Sequence, residues 1–325
     1  MLPKEIRIVF MGTPDFAVES LKALVENGYH VVGVITAPDK PAGRGRQLSE
    51  SAVKKYAVEN KLNVLQPEKL KNPEFIAELK SLKADLQIVV AFRMLPEMVW
   101  SMPSMGTFNL HGSLLPQYRG AAPLNWAVIN GEKETGVTTF LLSHEIDTGK
   151  IMFQEKIAIA ENDTVGDLHD QLMVIGANLV VKTVDALAAG NVEAIDQEHL
   201  IDHQYRIKHA PKIFKDDCRI DWTRDTESVR NLIRGLSPYP AAWTELEHPV
   251  KGEVLTAKIF AVTHDNSSLP AAPGTLLTDG KKFLKIACPD GWLSITDIQL
   301  SGKKRMKTDE LLRGFHDLGE WRVKM

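Results

Sequence analysis

The chain has only 2 cysteines in 325 residues, Cys218 and Cys288, far apart and without C-x-x-C spacing. That excludes a disulfide framework and a cysteine-built zinc site, and leaves two buried thiols as the expectation. Long hydrophobic runs are also missing. The most apolar stretch, Leu179 to Ala189, is interrupted by Lys182, Thr183 and Asp185, whereas a membrane helix needs roughly 18 uninterrupted apolar residues. No membrane partner is expected. Charge of one sign is scarce: 39 basic and 42 acidic residues leave a net −3. Up to Lys208 there are 21 basic and 26 acidic residues, and beyond it 18 and 16. The mildly basic second part permits a phosphate-rich partner without demanding one. The start, Met1-Leu2-Pro3-Lys4-Glu5, carries an acid and runs into an apolar stretch closed by Gly12 and Pro14. It lacks the shape of a secretory signal, so a cytoplasmic setting is expected.

What is present is an ordinary globular composition, 44% apolar and 25% charged, in a chain about twice the length of one domain. The first part alternates β-branched runs with helical spacing. Strands are expected at Ile6 to Phe10, Val31 to Thr36, Val64 to Gln66, Leu86 to Ala91, Thr107 to Leu110 and Val137 to Leu142. Helices are expected at Phe16 to Glu26, Ser51 to Asn60, Pro73 to Leu82 and Ala122 to Ile129, with a long one from Thr164 to Ala189 stopped by Gly190. Nearly continuous apolar strands separated by helices spell a doubly wound, mostly parallel α/β sheet, whose sites lie at the carboxyl ends of the strands. The chain then turns polar and aperiodic. Past it, Trp243 to Leu246, Ala257 to Val262, Thr275 to Leu277, Phe283 to Ala287 and Leu293 to Gln299 are short strand-like runs between turns, the texture of a small OB-like β-barrel. The expected division is 1–190, a linker at 191–208, and 209–325.

Chemistry concentrates where the fifth strand ends. Asn109 and His111 in Phe108-Asn109-Leu110-His111-Gly112-Ser113 project from the same side of the chain. Glu145-Ile146-Asp147-Thr148-Gly149 offers a carboxylate in the turn after the next strand. An amide can donate to an oxygen gaining charge, an imidazole can move a proton, and a carboxylate can hold the imidazole. Together they suit acyl transfer to an external nucleophile. Ser113 lacks the G-x-S-x-G elbow of a serine hydrolase. A capping Asn, a satisfied loop His and a turn Asp would carry the same residue types with no chemistry at all. His199-x-x-x-His203 has helical metal spacing but no third ligand in reach of the pattern, so no metal is expected. Asp39 to Gln47, D-K-P-A-G-R-G-R-Q, is a basic turn-rich loop that is neither a P-loop nor a G-x-G-x-x-G opening a helix.

The run N-L-H-G-S-L-L-P-Q-Y-R-G-A-A-P from Asn109 to Pro123, with I-D-T-G at Ile146 to Gly149, resembles the formyltransferases that use 10-formyltetrahydrofolate. The segments from Phe10 to Phe16, Asp39 to Arg46 and Ile233 to Pro240 narrow the resemblance, which spans the whole chain, to the branch that formylates methionyl-tRNA. The resemblance implies transfer of formyl from N10 of the folate to the α-amine of methionine on initiator tRNA. Asn109, His111 and Asp147 match the catalytic trio. Ser113, Leu114, Leu115, Pro116 and the strand end Val89, Val90 and Ala91 match the folate slot, although Phe92-Arg93 stands where relatives carry Tyr-Gly. Lys40, Arg44 and Arg46 match the insertion that meets the tRNA acceptor end, and Arg230, Arg234 and Lys303-Lys304-Arg305 are expected to track phosphates. No stable protein partner is implied. Other members of the same family, acting on a purine precursor, an amino sugar or water, are the alternative. A non-catalytic RNA-binding module would leave the trio idle.

Overall fold

Seven strands form one sheet: β1 (Arg7–Gly12), β2 (His30–Ile35), β3 (Val64–Leu65), β4 (Leu86–Val90), β5 (Thr107–His111), β6 (Glu134–Leu141) and β7 (Ile151–Ala158). The structure, a computed structural model, describes residues 2–42, 47–201, 206–265 and 270–325. The strand order is β7-β6-β5-β4-β1-β2-β3. Pairs β1/β2, β1/β4, β2/β3 and β4/β5 are parallel, and β5/β6 is antiparallel. The chain runs outward from β1 and then returns to its other side at β4, so the carboxyl ends of β1, β4 and β5 open at the reversal. β7 was not anticipated, because Gln154, Glu155 and Lys156 break its apolar pattern at the sheet edge.

The chain divides into two compact units, one of Met1–Pro123, Glu134–Ile157 and His169–His209, the other of Leu124–Lys133, Ala158–Leu168 and Ala210–Met325. In the first, α1 (Asp15–Glu26), α2 (Ala52–Glu59) and α3 (Pro73–Ser81) follow β1, the Gln47–Ser49 strand and β3. Ser51 and Asn72 cap α2 and α3 by accepting from the amides of Lys54 and Glu74. The short α4 (Glu97–Trp100) and α5 (Pro123–Ile129) precede α6 (Val165–Ala189), which ends at Gly190 in the left-handed region, φ +68°. By length and composition α6 could cross a membrane, more apolar than its sequence pattern suggested. Instead Leu172, Leu179, Val180 and Val184 are buried, and Gly176 lets the helix close on Leu110 of β5, where a Cβ would lie 2.7 Å from the leucine methyl. Thr183 bonds Thr139 of β6 at 3.0 Å.

The second unit is a near-closed antiparallel barrel. Its strands are β8 (Ala242–Glu247), β9 (Val254–Asp265), β10 (Leu276–Thr278), β11 (Leu284–Cys288), β12 (Gly291–Leu300), β13 (Met306–Lys307) and β14 (Arg322–Val323). They run β10-β11-β12-β9-β8-β14, with β13 on β12. Register shifts around Ala261 bend β9. α7 (Thr226–Leu236), capped by Asp225, sends Val229, Ile233 and Leu236 into the core with Trp222, Ile259, Leu293 and Trp321, and α8 (Thr308–Gly314) adds Leu311 and Leu312. Both cysteines are buried in this core, and burial pushes the Cys288 thiol up to about 12.

The same helix corrects an expectation. Arg230 and Arg234, expected at the surface among phosphates, are 6% and 7% exposed. Arg230 donates to the Glu161 carbonyl at 2.5 Å and to Asn162 Oδ1 at 2.9 Å, and Arg234 to Asn231 Oδ1 at 2.7 Å and the Asp163 carbonyl at 3.0 Å. Their guanidinium groups hold the Ala158–Leu168 segment inside its own unit and are not available to a nucleic acid. Replacing Arg234 by Ala should lower unfolding free energy by about 1.5–3 kcal/mol, the worth of hydrogen bonds from a charged donor. Denaturant titration checks this, and an unchanged midpoint would contradict the assignment. Arg305 is exposed like Lys303 and Lys304, and is held by Asp297 through two bonds of 2.9 Å and stacked 4.2 Å over Phe260.

Candidate active site

β5 pairs with β4 through Asn109 and Val89 and with β6 through Asn109 and Phe140, so Asn109 sits in mid-sheet just before the strand ends. Its Oδ1 is buried and has no hydrogen-bond partner among the described residues. A buried amide oxygen left in that state costs stability unless something else meets it. His111, two positions on along the same side, is 6% exposed, and its Nε2 lies 2.9 Å from the Tyr118 carbonyl. A carbonyl can only accept, so Nε2 carries a proton and Nδ1 is the nitrogen free to exchange one. Nδ1 faces Asp147 Oδ2 at 3.8 Å, an ion-pair distance that is too long for a direct hydrogen bond.

Asp147 occupies the turn after β6 with φ +56°, a left-handed conformation that Asp tolerates better than most side chains. Two neighbours hold it there. The Gly120 amide donates to Oδ2 at 2.9 Å, and Gln197 Nε2 donates to the Asp147 and Gly149 carbonyls, each at 2.8 Å. Gly149 closes the turn against β6: a Cβ there would lie 1.7 Å from the Leu141 carbonyl oxygen, so only glycine fits.

The loop after β5 is braced from inside. The Ser113 carbonyl accepts from Thr138 Oγ1, the Leu114 carbonyl from the Gln117 amide, and the Leu115 carbonyl from Gln154 Nε2. Ser113 and Leu115 are buried, and the Leu115–Pro116 peptide is cis. Across from it β4 ends at Val89 and Val90, both buried, and Ala91 turns the chain at φ +47°. A non-glycine residue held in that region beside an unpaired buried amide oxygen marks a place where local stability is given up.

A formyl transferase model matches residues 6–184, and a model of the formyl transferase C-terminal domain matches residues 212–316. The methionyl-tRNA formyltransferase of Bacteroides fragilis is 59% identical over 320 residues, 97% of this chain and 97% of its own. The chain belongs to the methionyl-tRNA formyltransferase family. Solved structures of lower identity share the fold. The N-formyltransferase of Helicobacter canadensis, solved with folinic acid and dTDP-3-aminofucose, has a TM-score of 0.63 at 20% identity over 93% of this chain and 100% of that one. HypX from Aquifex aeolicus, solved with tetrahydrofolic acid, has 0.62 at 19% over 97% of this chain and 48% of that one.

Within a formyltransferase family, the Phe92-Arg93 departure has a structural account. Arg93 donates to the Glu68 carbonyl at 2.8 Å and to the Pro67 carbonyl, and its Cζ lies 5.4 Å over the Phe92 ring. The guanidinium therefore ties the turn after β4 to the loop after β3. An open cleft of about 600 Å³ starts here, with Leu70, Met94, Leu95 and Met98 on its walls and Lys71 and Arg93 at its side.

Of the tRNA-facing residues expected in the family, Lys40 is exposed on a short strand, Lys40–Ala42, that pairs with Gln47–Ser49. Arg44 and Arg46 lie outside the described residues. The loop leaves from a fixed base: Asp39 takes Lys54 Nζ at 2.5 Å and Gln66 Nε2 at 2.8 Å, and the Lys54 bond holds its carboxyl below the usual range. His203 of the His199 pair also lies outside the described residues. Another trio, His248, Asp317 and Glu320, has metal-like spacing in the barrel. There His248 Nδ1 accepts the Val250 and Lys251 amides at 3.3 Å and Nε2 faces Glu320 at 3.1 Å, so the imidazole turns no lone pair toward a cation.

Sequence reasoning missed Tyr118, Gly120 and Gln197. The first two stand in the quoted Q-Y-R-G run, but they act through backbone groups, which no residue type announces. Gln197 sits in the polar stretch read as a linker.

Proposed function

We propose that the enzyme moves a formyl group from 10-formyltetrahydrofolate to the α-amine of methionine on initiator tRNA, with Asn109, His111 and Asp147 as the catalytic residues. The observation that carries this reading is the placing of Asn109, whose Nδ2 can donate and whose buried Oδ1 meets no partner among the described residues, two positions before His111, which faces Asp147 at 3.8 Å beyond the carboxyl end of the strand. The folate, when bound, supplies the formyl carbon. Ser113 to Pro116 and Val89 to Ala91 would flank its pterin, and the cleft that starts at Arg93, apolar on its walls with Lys71 and Glu97 both in its lining, suits an aromatic ring. Asn109 meets an oxygen that gains charge as the amine attacks. His111, held through Nε2 by Tyr118, exchanges a proton at Nδ1, the nitrogen that faces Asp147. An acceptor that is charged tRNA places the reaction in the cytoplasm.

The experiment that tests this offers labelled 10-formyltetrahydrofolate with charged initiator tRNA, charged elongator tRNA, free methionine, and no acceptor. Label in initiator methionyl-tRNA alone is expected; label lost as formate without an acceptor would make the protein a hydrolase.

The surface proposed to follow the tRNA phosphates moves away from Arg230 and Arg234 to the outer face of β8. There Trp243 carries Lys215 and Arg219 at 5.5 and 5.7 Å from its ring centre, and Lys258 stands opposite it on β9. Phe214 is 63% exposed with Lys212 5.4 Å away. Cations interleaved with aromatic faces suit a nucleic acid backbone with unpaired bases. Lys215→Ala and Lys212→Ala should each reduce the slope of log K against log salt by about 1, whereas Arg230→Ala leaves the slope unchanged. In the same assay Arg44→Ala should raise KM for charged tRNA and not for folate; a parallel rise in both would make the loop a structural element.

A further inference from the structure

Gln197 falls between the two matched family segments, 6–184 and 212–316, in a stretch of polar sequence, yet it is 2% exposed. It lies on a short 3₁₀ helix, Gln197–Leu200, just past Ile195, which pairs with Ile151 through two bonds of 2.8 Å. Every hydrogen-bonding capacity of its amide is used. Nε2 donates to the carbonyls of Asp147 and Gly149, both at 2.8 Å, and Oε1 accepts Arg119 Nε at 3.0 Å and Nη2 at 2.6 Å. The residue after Arg119, Gly120, donates its amide to Asp147 Oδ2. Gln197, Arg119, Gly120 and Asp147 therefore close a ring that grips Asp147 by its backbone and by its carboxylate at once.

We propose that Gln197 is a positioning residue for the Asp147 carboxylate, which makes the stretch between the two matched segments part of the reaction machinery. The inference rests on the reading of Asp147 as the partner of His111. Asp147 stands at φ +56°, a conformation the chain leaves unless it is held. One donor of the buried Gln197 amide holds the Asp147 carbonyl and the other that of Gly149 two residues on, and the His111 nitrogen 3.8 Å from the carboxylate is the group that notices a shift. Misplacement of a catalytic group by about 1 Å can cost 10²-fold in rate.

A double-mutant cycle separates positioning from mere support of the fold. Gln197→Ala should lower kcat for formyl transfer to methionyl-tRNA by about 10–100-fold, the usual effect of losing an orienting partner. KM for either substrate should stay within about 2-fold, since no substrate contact is lost. In an Asp147→Asn background the same change should cost less than about 2-fold, because its route to the reaction is already cut. Gln197→Glu keeps an oxygen for Arg119 but turns acceptors toward two carbonyls, so its kcat should fall as far as that of Gln197→Ala, with a lowered melting point and a circular dichroism spectrum at assay temperature that still matches the folded wild type. An equal fold-loss with and without Asp147, a loss confined to KM, or a Gln197→Glu enzyme with wild-type kcat would overturn the proposal. A wild-type protein that formylates no methionyl-tRNA would instead overturn the functional reading on which it rests.

Discussion

Asp147→Asn and His111→Ala should each slow single-turnover formyl transfer by about 10²–10⁴, the range for losing a positioned acid–base group. Asn keeps the shape of Asp147 but has no charge to offer His111 Nδ1, which faces it at 3.8 Å in a pocket where the imidazole is 6% exposed. In so enclosed a site the charge counts for more than it would in water. His111→Ala removes the exchanging nitrogen itself and also frees the Tyr118 carbonyl it held. If the two residues work as one unit, the double variant is no slower than the worse single one, since each change disables the same step. KM for both substrates should stay near wild type. Rates that multiply to the product of the two losses would mean that His111 and Asp147 serve separate steps, and a rate unchanged in either single variant would remove that residue from the chemistry.

The parts of this site that were legible in the sequence are those in which side-chain type and strand geometry coincide. Asn109 and His111 alternate correctly on a strand whose flanks are apolar enough to predict, and Gly149 in I-D-T-G is dictated by its approach to the Leu141 carbonyl. What could not be read has a common cause: polar groups buried against backbone. α7 has a regular apolar stripe, Val229, Leu232, Ile233 and Leu236, but Arg230, Asn231 and Arg234 are buried beside it, and the same arginines, counted as surface charge, suggested a phosphate track that is absent there. Gln197 looked like linker because a satisfied buried amide and a solvated one are the same letter. Likewise the departure at Phe92-Arg93 could be seen in the sequence but not its use, because the partners of Arg93, the carbonyls of Pro67 and Glu68, come to it only in the folded sheet.

Asn109→Ala should lower the transfer rate by about 10²–10³, as does removal of a single donor to a developing oxyanion in other acyl-transfer sites. Its effect on stability should run the other way from an ordinary core truncation. Asn109 Oδ1 is buried and meets no partner among the described residues, so the folded protein carries the cost of dehydrating it. Alanine removes that cost, which is about 1–3 kcal/mol for an unsatisfied polar group, and loses some packing in return. The expectation is a thermal midpoint equal to or above that of the wild type, in a variant whose chemistry is largely gone. A midpoint several degrees lower would show that the amide holds the fold together, and the case for Asn109 as a residue kept for the reaction at a cost to the fold would fail. Stability gained where activity is lost is the signature of a residue retained for what it does to a ligand rather than to the chain.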